Sequence, residues 1–108
     1  PMFEKTVEQW KKTMDVNLLG TFLCSKYVSE QMLKNKSGKI VNISSTNGIN
    51  SFSPEAIDYD ASKAGSIIIT KDLAKELAPE AEKIAKPIAI AAKTMPLIFE
   101  SAPIFFDK

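Results

Sequence analysis

The chain has 108 residues, 44% of them apolar and 25% charged, with 14 basic side chains against 13 acidic ones and a net charge of +1. That is ordinary globular composition with room for one small core, and so even a charge balance offers no basic field to nucleic acid. A single cysteine and no histidine leave no intramolecular disulfide and no multi-cysteine zinc site. With no run of about 18 apolar residues and no basic start leading into an apolar signal core, a cytoplasmic protein without a membrane partner is expected.

Taken in order, residues 1–5 read as the tail of a loop. Thr6-Val7-Glu8-Gln9 has the spacing of a capping box, so a helix starts there. Apolar residues recur at Val7, Trp10, Met14, Leu18 and Phe22 and, after a slip, at Val28 and Met32, close to the helical period. Leu19, Leu23 and Tyr27 widen the stripe. One long helix over residues 6–34 with two buried faces is predicted, and Cys24, inside the apolar run, reads as a buried structural thiol. Asn17 is out of place mid-helix, because its side chain competes with the backbone for hydrogen bonds. It is a candidate for opening the helix locally and holding a water. Lys36-Ser37-Gly38 closes the helix.

Ile40, Val41 and Ile43 then form a nearly continuous apolar run, as expected of a parallel strand covered on both faces, which makes Asn42 a polar group in need of partners. Ser44 and Ser45 follow at the carboxyl end of the strand, where open α/β sheets place their chemistry. From Asn47 to Asp58 runs a long polar loop, with Phe52 and Ile57 as candidates either to line a substrate pocket or to cover the core. A second helix is predicted over residues 58–78, stopped by Pro79. Its first turns carry Tyr59, Ala61, Ser62, Lys63, Ala64 and Gly65. Tyr59 and Lys63, four apart, share a helix face with Cβ atoms about 5–6 Å apart, and an ammonium beside a phenol favours the phenolate. The pair is a candidate proton-transfer unit. Beyond Pro79, residues 80–86 are polar, residues 87–92 suit a short strand, and residues 96–106 carry no definite element.

Asp15-Val16-Asn17, then Ser45 three before Gly48, then Tyr59-x-x-x-Lys63, in that order, resemble the short-chain dehydrogenase/reductase family, over about residues 3–79. Through Tyr59-x-Ala61-Ser62-Lys63-Ala64-Gly65 and Leu73-Ala74-Lys75-Glu76-Leu77-Ala78-Pro79 the chain is most similar to its 3-oxoacyl-acyl-carrier-protein reductases. The resemblance implies an α/β fold, a partial Rossmann-like doubly wound parallel sheet made of long helix, strand, long helix and an uncertain C-terminal segment. Residues 1–79 would be the catalytic portion and residues 80–108 a divergent end of the same domain. It also implies an NAD(P)-dependent oxidoreductase that reduces a carbonyl of the 3-oxoacyl thioester kind or oxidises the corresponding alcohol. Tyr59 would then donate the proton, Ser45 bind the same substrate oxygen, Lys63 hold the nicotinamide ribose with Tyr59 beside it, and Asn17 order a water in a proton relay. No metal is implied. Two features depart from the family. The four glycines, Gly20, Gly38, Gly48 and Gly65, are too scattered to form the Gly-rich turn that cradles a pyrophosphate, and Met95-Pro96-Leu97-Ile98 stands where the family has Pro-Gly and a threonine that contacts the nicotinamide. The 108 residues alone are therefore expected to be inactive.

The family also pairs copies through the two long helices, which implies a homo-oligomer through residues 6–34 and 58–78. The alternative reading is a truncated, catalytically inactive dehydrogenase fragment that serves only as an association module. A serine hydrolase is disfavoured: with no histidine, no Ser-x-x-Lys and no Gly-x-Ser-x-Gly, neither Ser45 nor Ser62 has a recognisable base.

Overall fold

A computed structural model describes residues 1–50, 55–83 and 88–95. Thr6 starts the first helix as its spacing to Gln9 predicts. Its Oγ1 accepts from the Gln9 amide at 3.1 Å, and the Gln9 side chain accepts from the Thr6 amide at 3.0 Å. Such a cap stabilises a helix by about 1 kcal/mol. After a 3-10 turn at Met2–Glu4, helix α1 covers Val7–Met14, a π-helical turn covers Asp15–Leu19 and helix α2 continues through Gly20–Asn35. The Gly20 amide reaches back five residues to the Asp15 carbonyl, so one extra residue is accommodated around Asn17. The helix ends where Lys36 turns left-handed, φ 54° and ψ 32°, and the Ser37 amide caps the Met32 carbonyl at 3.1 Å.

Strand β1, Gly38–Ser45, pairs in parallel with strand β2, Ile88–Met95, in the register Gly38 to Ile88 through Ser45 to Met95. Parallel neighbours need a crossover, and helix α3, Ile57–Lys83, supplies it. The strand expected near residues 87–92 is present and runs on to Met95. Pro79 does not stop α3, which continues through it to Lys83. Proline's φ is helical and it removes one backbone bond, while Ala74 and Leu77, 2% and 9% exposed, anchor the turn before it.

Two expectations about burial are corrected. On β1 one face is covered along the strand and the other only at its end: Ile40 is buried, but Val41 and Ile43 are 59% and 50% exposed, with Ser45 alone buried on their side, because among the described residues the helices pack on the Ile40, Asn42 and Ser44 side. The stripe of the long helix also faces outward. Phe22, Tyr27 and Val28 are 47%, 61% and 48% exposed, Cys24 is exposed, and the buried positions of α2 are Ser25, Ser29 and Met32. The small apolar core is Met32, Ile40, Ala74 and Leu77, with Leu33 and Leu73 against it.

Hydroxyls fill the remaining contact between helices and strand. Ser29 and Thr70 donate to the carbonyls four residues back, of Ser25 and Ser66, at 2.6 and 2.7 Å. Such side chains enter a core at little desolvation cost because the helix itself satisfies them. Asn42 has the partners that it needs: its Nδ2 donates to Thr70 Oγ1 at 3.0 Å and lies 3.4 Å from Ser25 Oγ. Among the described residues no buried side-chain nitrogen or oxygen lacks a partner.

Asp58 ties α3 to the first helix. It is 4% exposed, accepts from Thr13 Oγ1 at 2.7 Å and pairs with Lys5 Nζ at 3.2 Å. The Thr13 hydrogen bond, helped by Lys5 and opposed by burial, holds its carboxyl below the ordinary aspartate value. A group whose pKa falls on folding stabilises the native state at pH above its unfolded value and loses that contribution as pH drops through its native one. Unfolding free energy measured in urea should therefore be level with respect to Asp58 above about pH 5 and decline below about pH 4, the ordinary aspartate range. In Asp58→Asn this part of the acid dependence should vanish. An unchanged acid limb in the variant would show that Asp58 is not its source.

Candidate active site at the start of helix α3

Helix geometry brings Tyr59 and Lys63 together, as their spacing predicts. Lys63 Nζ lies 5.7 Å from the centroid of the Tyr59 ring, and the phenol is 37% exposed, open to a molecule arriving from solvent. Lys63 Nζ also donates to the Ile43 carbonyl of β1 at 3.1 Å. An ammonium has three donors, so this bond anchors the group and leaves others for a ligand.

Asn17 reaches the same helix through an intermediary. Its Nδ2 donates to Ser62 Oγ at 3.1 Å, and Ser62, fully buried, donates in turn to the Tyr59 carbonyl at 2.7 Å. The asparagine therefore reaches the Tyr59 turn through Ser62, with no direct hydrogen bond to Lys63 among the described residues. The π-helical turn gives it this position, and its own carbonyl accepts from Thr21 Oγ1 at 2.7 Å. A small residue on α3 lets the turn approach: a Cβ on Gly65 would stand 2.6 Å from Leu18 Cδ1.

The two serines at the end of β1 part company. Ser44, 3% exposed, donates to the Lys63 carbonyl at 2.7 Å and is committed to joining strand and helix. Ser45, 8% exposed, lies on the alternate face, where its Oγ accepts from the Asn47 amide at 3.2 Å. Among the described residues Ser45 and Tyr59 share no hydrogen bond. The 3-10 turn Thr46–Gly48 that follows Ser45 presses on α3: a Cβ on Gly48 would fall 2.8 Å from the Lys63 carbonyl carbon and 2.9 Å from the Ala64 nitrogen. Asn47 Nδ2 also donates to Asp60 Oδ1 at 2.9 Å. Of the residues expected to line a pocket, Ile57 is the first residue of α3 and 38% exposed, and Phe52 lies outside the described residues.

Sequence reasoning gave Ser62, Asn47 and Asp60 no bonding role, although each sits within three residues of a candidate and carries a short polar side chain suited to local bonding. Among the described residues no three His, Cys, Asp or Glu side chains gather to hold a metal ion, and no helix is long and apolar enough to cross a membrane.

A strand ending in serine, a crossover helix opening on Tyr-x-x-x-Lys and an asparagine bonded to that helix define an oxidoreductase family with an α/β sheet. The chain belongs to the short chain dehydrogenases, whose family model matches residues 1–94. It is 51% identical over 72 residues to a 3-oxoacyl-[acyl-carrier-protein] reductase of Synechocystis sp., covering 67% of this chain and 29% of that protein. It is 41% identical over 101 residues to the 2-dehydro-3-deoxy-L-rhamnonate dehydrogenase (NAD(+)) of a Sphingomonas species, covering 94% of this chain and 37% of the relative. Among solved structures it is similar to sorbitol-6-phosphate 2-dehydrogenase SrlD from Erwinia amylovora, at TM-score 0.78 and 27% identity over 94% of this chain and 38% of that one. It is also similar to a 3-oxoacyl-[acyl-carrier protein] reductase with bound NAD from Brucella melitensis, at TM-score 0.71 and 35% identity over 83% of this chain and 32% of the other. The chain thus spans about a third of the length of the proteins it matches.

The contact at Gly48 gives a direct check of how the serine turn is seated. Its neighbours are backbone atoms that cannot swing aside, so Gly48→Ala should separate the turn from α3 and lower the unfolding free energy by about 1–3 kcal/mol, the cost of forcing a methyl into a filled space. Urea denaturation measures this, and a variant as stable as the parent would mean that the approach is looser than described.

Proposed function

We propose that this chain carries the proton-transfer half of a nicotinamide-dependent reductase, acting on a carbonyl of the 3-oxoacyl thioester kind or, in reverse, on the corresponding alcohol. The observation that carries the reading is the Tyr59 phenol and Lys63 ammonium sharing one open face of α3, 5.7 Å apart from centroid to nitrogen, beside the strand end that bears Ser45. The donor set suits the nicotinamide-ribose end of such a cofactor: Lys63 has N–H donors to spare for sugar hydroxyls, and Tyr59 lies beside it. The sequence has no Gly-rich turn for the pyrophosphate, so that part of the cofactor has no evident holder among these residues.

When bound, a reduced nicotinamide supplies the hydride to the carbonyl carbon. Tyr59 passes its phenolic proton to the oxygen as the alkoxide forms. Ser45 donates a hydrogen bond to the same oxygen, and Lys63 provides the positive charge that the phenolate left behind requires. Asn17 holds a water that leads from Lys63 to solvent and returns a proton to the pair. Support for the thioester class comes from the sequence likeness to reductases of that name, and for a nicotinamide from neighbours solved with NAD, NADH or NADP.

Two copies pair through the outward faces of α2 and α3, where Phe22, Tyr27, Val28 and Ile68 stand 47%, 61%, 48% and 54% exposed. Light scattering on the eluted protein should give a dimer or larger, shifted toward monomer by Phe22→Glu; a monomeric parent would remove this part of the reading. For the chemistry, Tyr59→Phe in the full-length protein should lower turnover of acetoacetyl-CoA by at least the 10²–10⁴-fold or so typical of a lost general acid, with cofactor affinity nearly unchanged. Retained turnover would overturn the assignment.

A further inference from the structure

Ser45 and Tyr59 sit on different elements, separated along the chain by the 3-10 turn and the loop after it, and share no hydrogen bond among the described residues. If both are to meet one substrate oxygen, something must set the distance between them. Asn47 is placed to do so from both ends of one residue. Its backbone amide donates to Ser45 Oγ at 3.2 Å, and its side-chain amide donates to Asp60 Oδ1 at 2.9 Å, on the residue directly after Tyr59. Ser45 and Asp60 are 8% and 9% exposed, so water competes weakly for either bond. The next residue, Gly48, touches the backbone of Lys63 and Ala64, and the turn therefore meets α3 at two points one helical turn apart.

A serine hydroxyl has one proton and two lone pairs. The Asn47 amide occupies a lone pair, which turns the proton away from the turn and polarises the O–H as a donor. Ser45 keeps its proton free to give a hydrogen bond on the side away from Asn47, as an oxygen that gains negative charge requires.

We propose that Asn47 and Asp60 are positioning residues, a clamp between the serine turn and the tyrosine turn that sets the distance between Ser45 and the Tyr59 phenol and leaves the Ser45 proton free to donate. The proposal rests on the reductase reading of Ser45 and Tyr59. Neither clamp residue touches the substrate.

The test uses the full-length protein with acetoacetyl-CoA and NADPH or NADH, recording kcat, KM, cofactor affinity and melting temperature for each variant. Asn47→Ala should lower kcat about tenfold, the rate equivalent of one ordinary hydrogen bond, with cofactor affinity unchanged. Asn47→Asp, which sets two carboxylates against each other, should lose more. The exchange Asn47→Asp with Asp60→Asn restores the bond with donor and acceptor reversed and should bring kcat back to within about threefold of the parent, since the bond's energy is largely recovered. A residue needed only for stability would not show rescue of kcat by exchange. Full kcat in Asn47→Ala, or an exchange variant that folds but is no faster than Asn47→Asp, overturns the clamp. Should the exchange variant not fold, the kcat of Asn47→Ala at unchanged cofactor affinity decides. Tyr59→Phe in the same assay separates the two readings: if it is inactive while Asn47→Ala is fully active, the clamp alone fails, and if it is active the reductase reading fails with it.

Discussion

The Ser44 hydroxyl donating to the Lys63 carbonyl, 2.7 Å, is the contact on which the rest of the site depends. Ser66 donates to the same carbonyl at 2.8 Å, so a single helical oxygen gathers the end of β1 and the next turn of α3. A few ångströms away the Lys63 ammonium returns to the strand at the Ile43 carbonyl. The strand thus grips one residue by its main chain and by its side chain. That double hold fixes both the height of α3 along the strand and its rotation about its own axis. Tyr59, one turn earlier, then has no choice of face.

This explains why the interior is so rich in hydroxyls. Among the described residues Ser25, Ser29, Ser44, Ser62, Ser66 and Thr70 are all 5% exposed or less, against four buried apolar side chains. Small side chains let helix and strand backbones come close. Each hydroxyl bonds to a carbonyl of its own helix or of a neighbour, so the usual penalty for burying a polar group is met by a partner. The consequence falls on the other side of the same helices. With much of the inward face taken by serine and threonine, Phe22, Tyr27 and Val28 of α2 turn outward, and an apolar face is left on the surface of this chain.

How much of this was legible follows from the range of each interaction. The capping box at Thr6 and Gln9 and the shared face of Tyr59 and Lys63 span three and four residues, within one helical turn, and local geometry alone decides them. The α/β order of long helix, strand and long helix was legible too, because each of these elements carries its own period and punctuation, whereas the second strand was only suggested by the short apolar stretch after Pro87. Which face of α2 is buried was not. The apolar stripe from Val7 to Val28 has helical period whichever way it points, and only the pairing of Ser25 with Asn42 and of Asn42 with Thr70, 17 and 28 residues apart in sequence, turns it outward. Val41 and Ile43 misled for a related reason: a continuous apolar run signals a strand fit to be covered twice, but burial also depends on what is there to cover it. The bonds from Asp58 to Thr13 and from Asp60 to Asn47 join residues 45 and 13 apart, and no local pattern announces such partners.

A site mounted on directional bonds responds to change differently from one mounted on packing. Apolar neighbours resist displacement weakly in any one direction, so a packed site shifts by fractions of an ångström as side chains around it are exchanged. A hydrogen bond loses most of its value within about half an ångström of its preferred length and as its angle closes, and several bonds surround Tyr59. Ser62 donates to its carbonyl, the preceding residue, Asp58, is tied to Thr13 and Lys5, and the following one, Asp60, is tied to Asn47. Three anchors on three consecutive parts of one turn leave the phenol freedom about its own side-chain torsions and little else. Proton transfer requires reacting atoms to be held near hydrogen-bond distance, where a misplacement of about 1 Å can cost two orders of magnitude in rate. Short polar residues, Asp58, Asp60 and Ser62, therefore flank Tyr59 in the first turns of α3, and the apolar packing lies further along the helix, around Ala74 and Leu77.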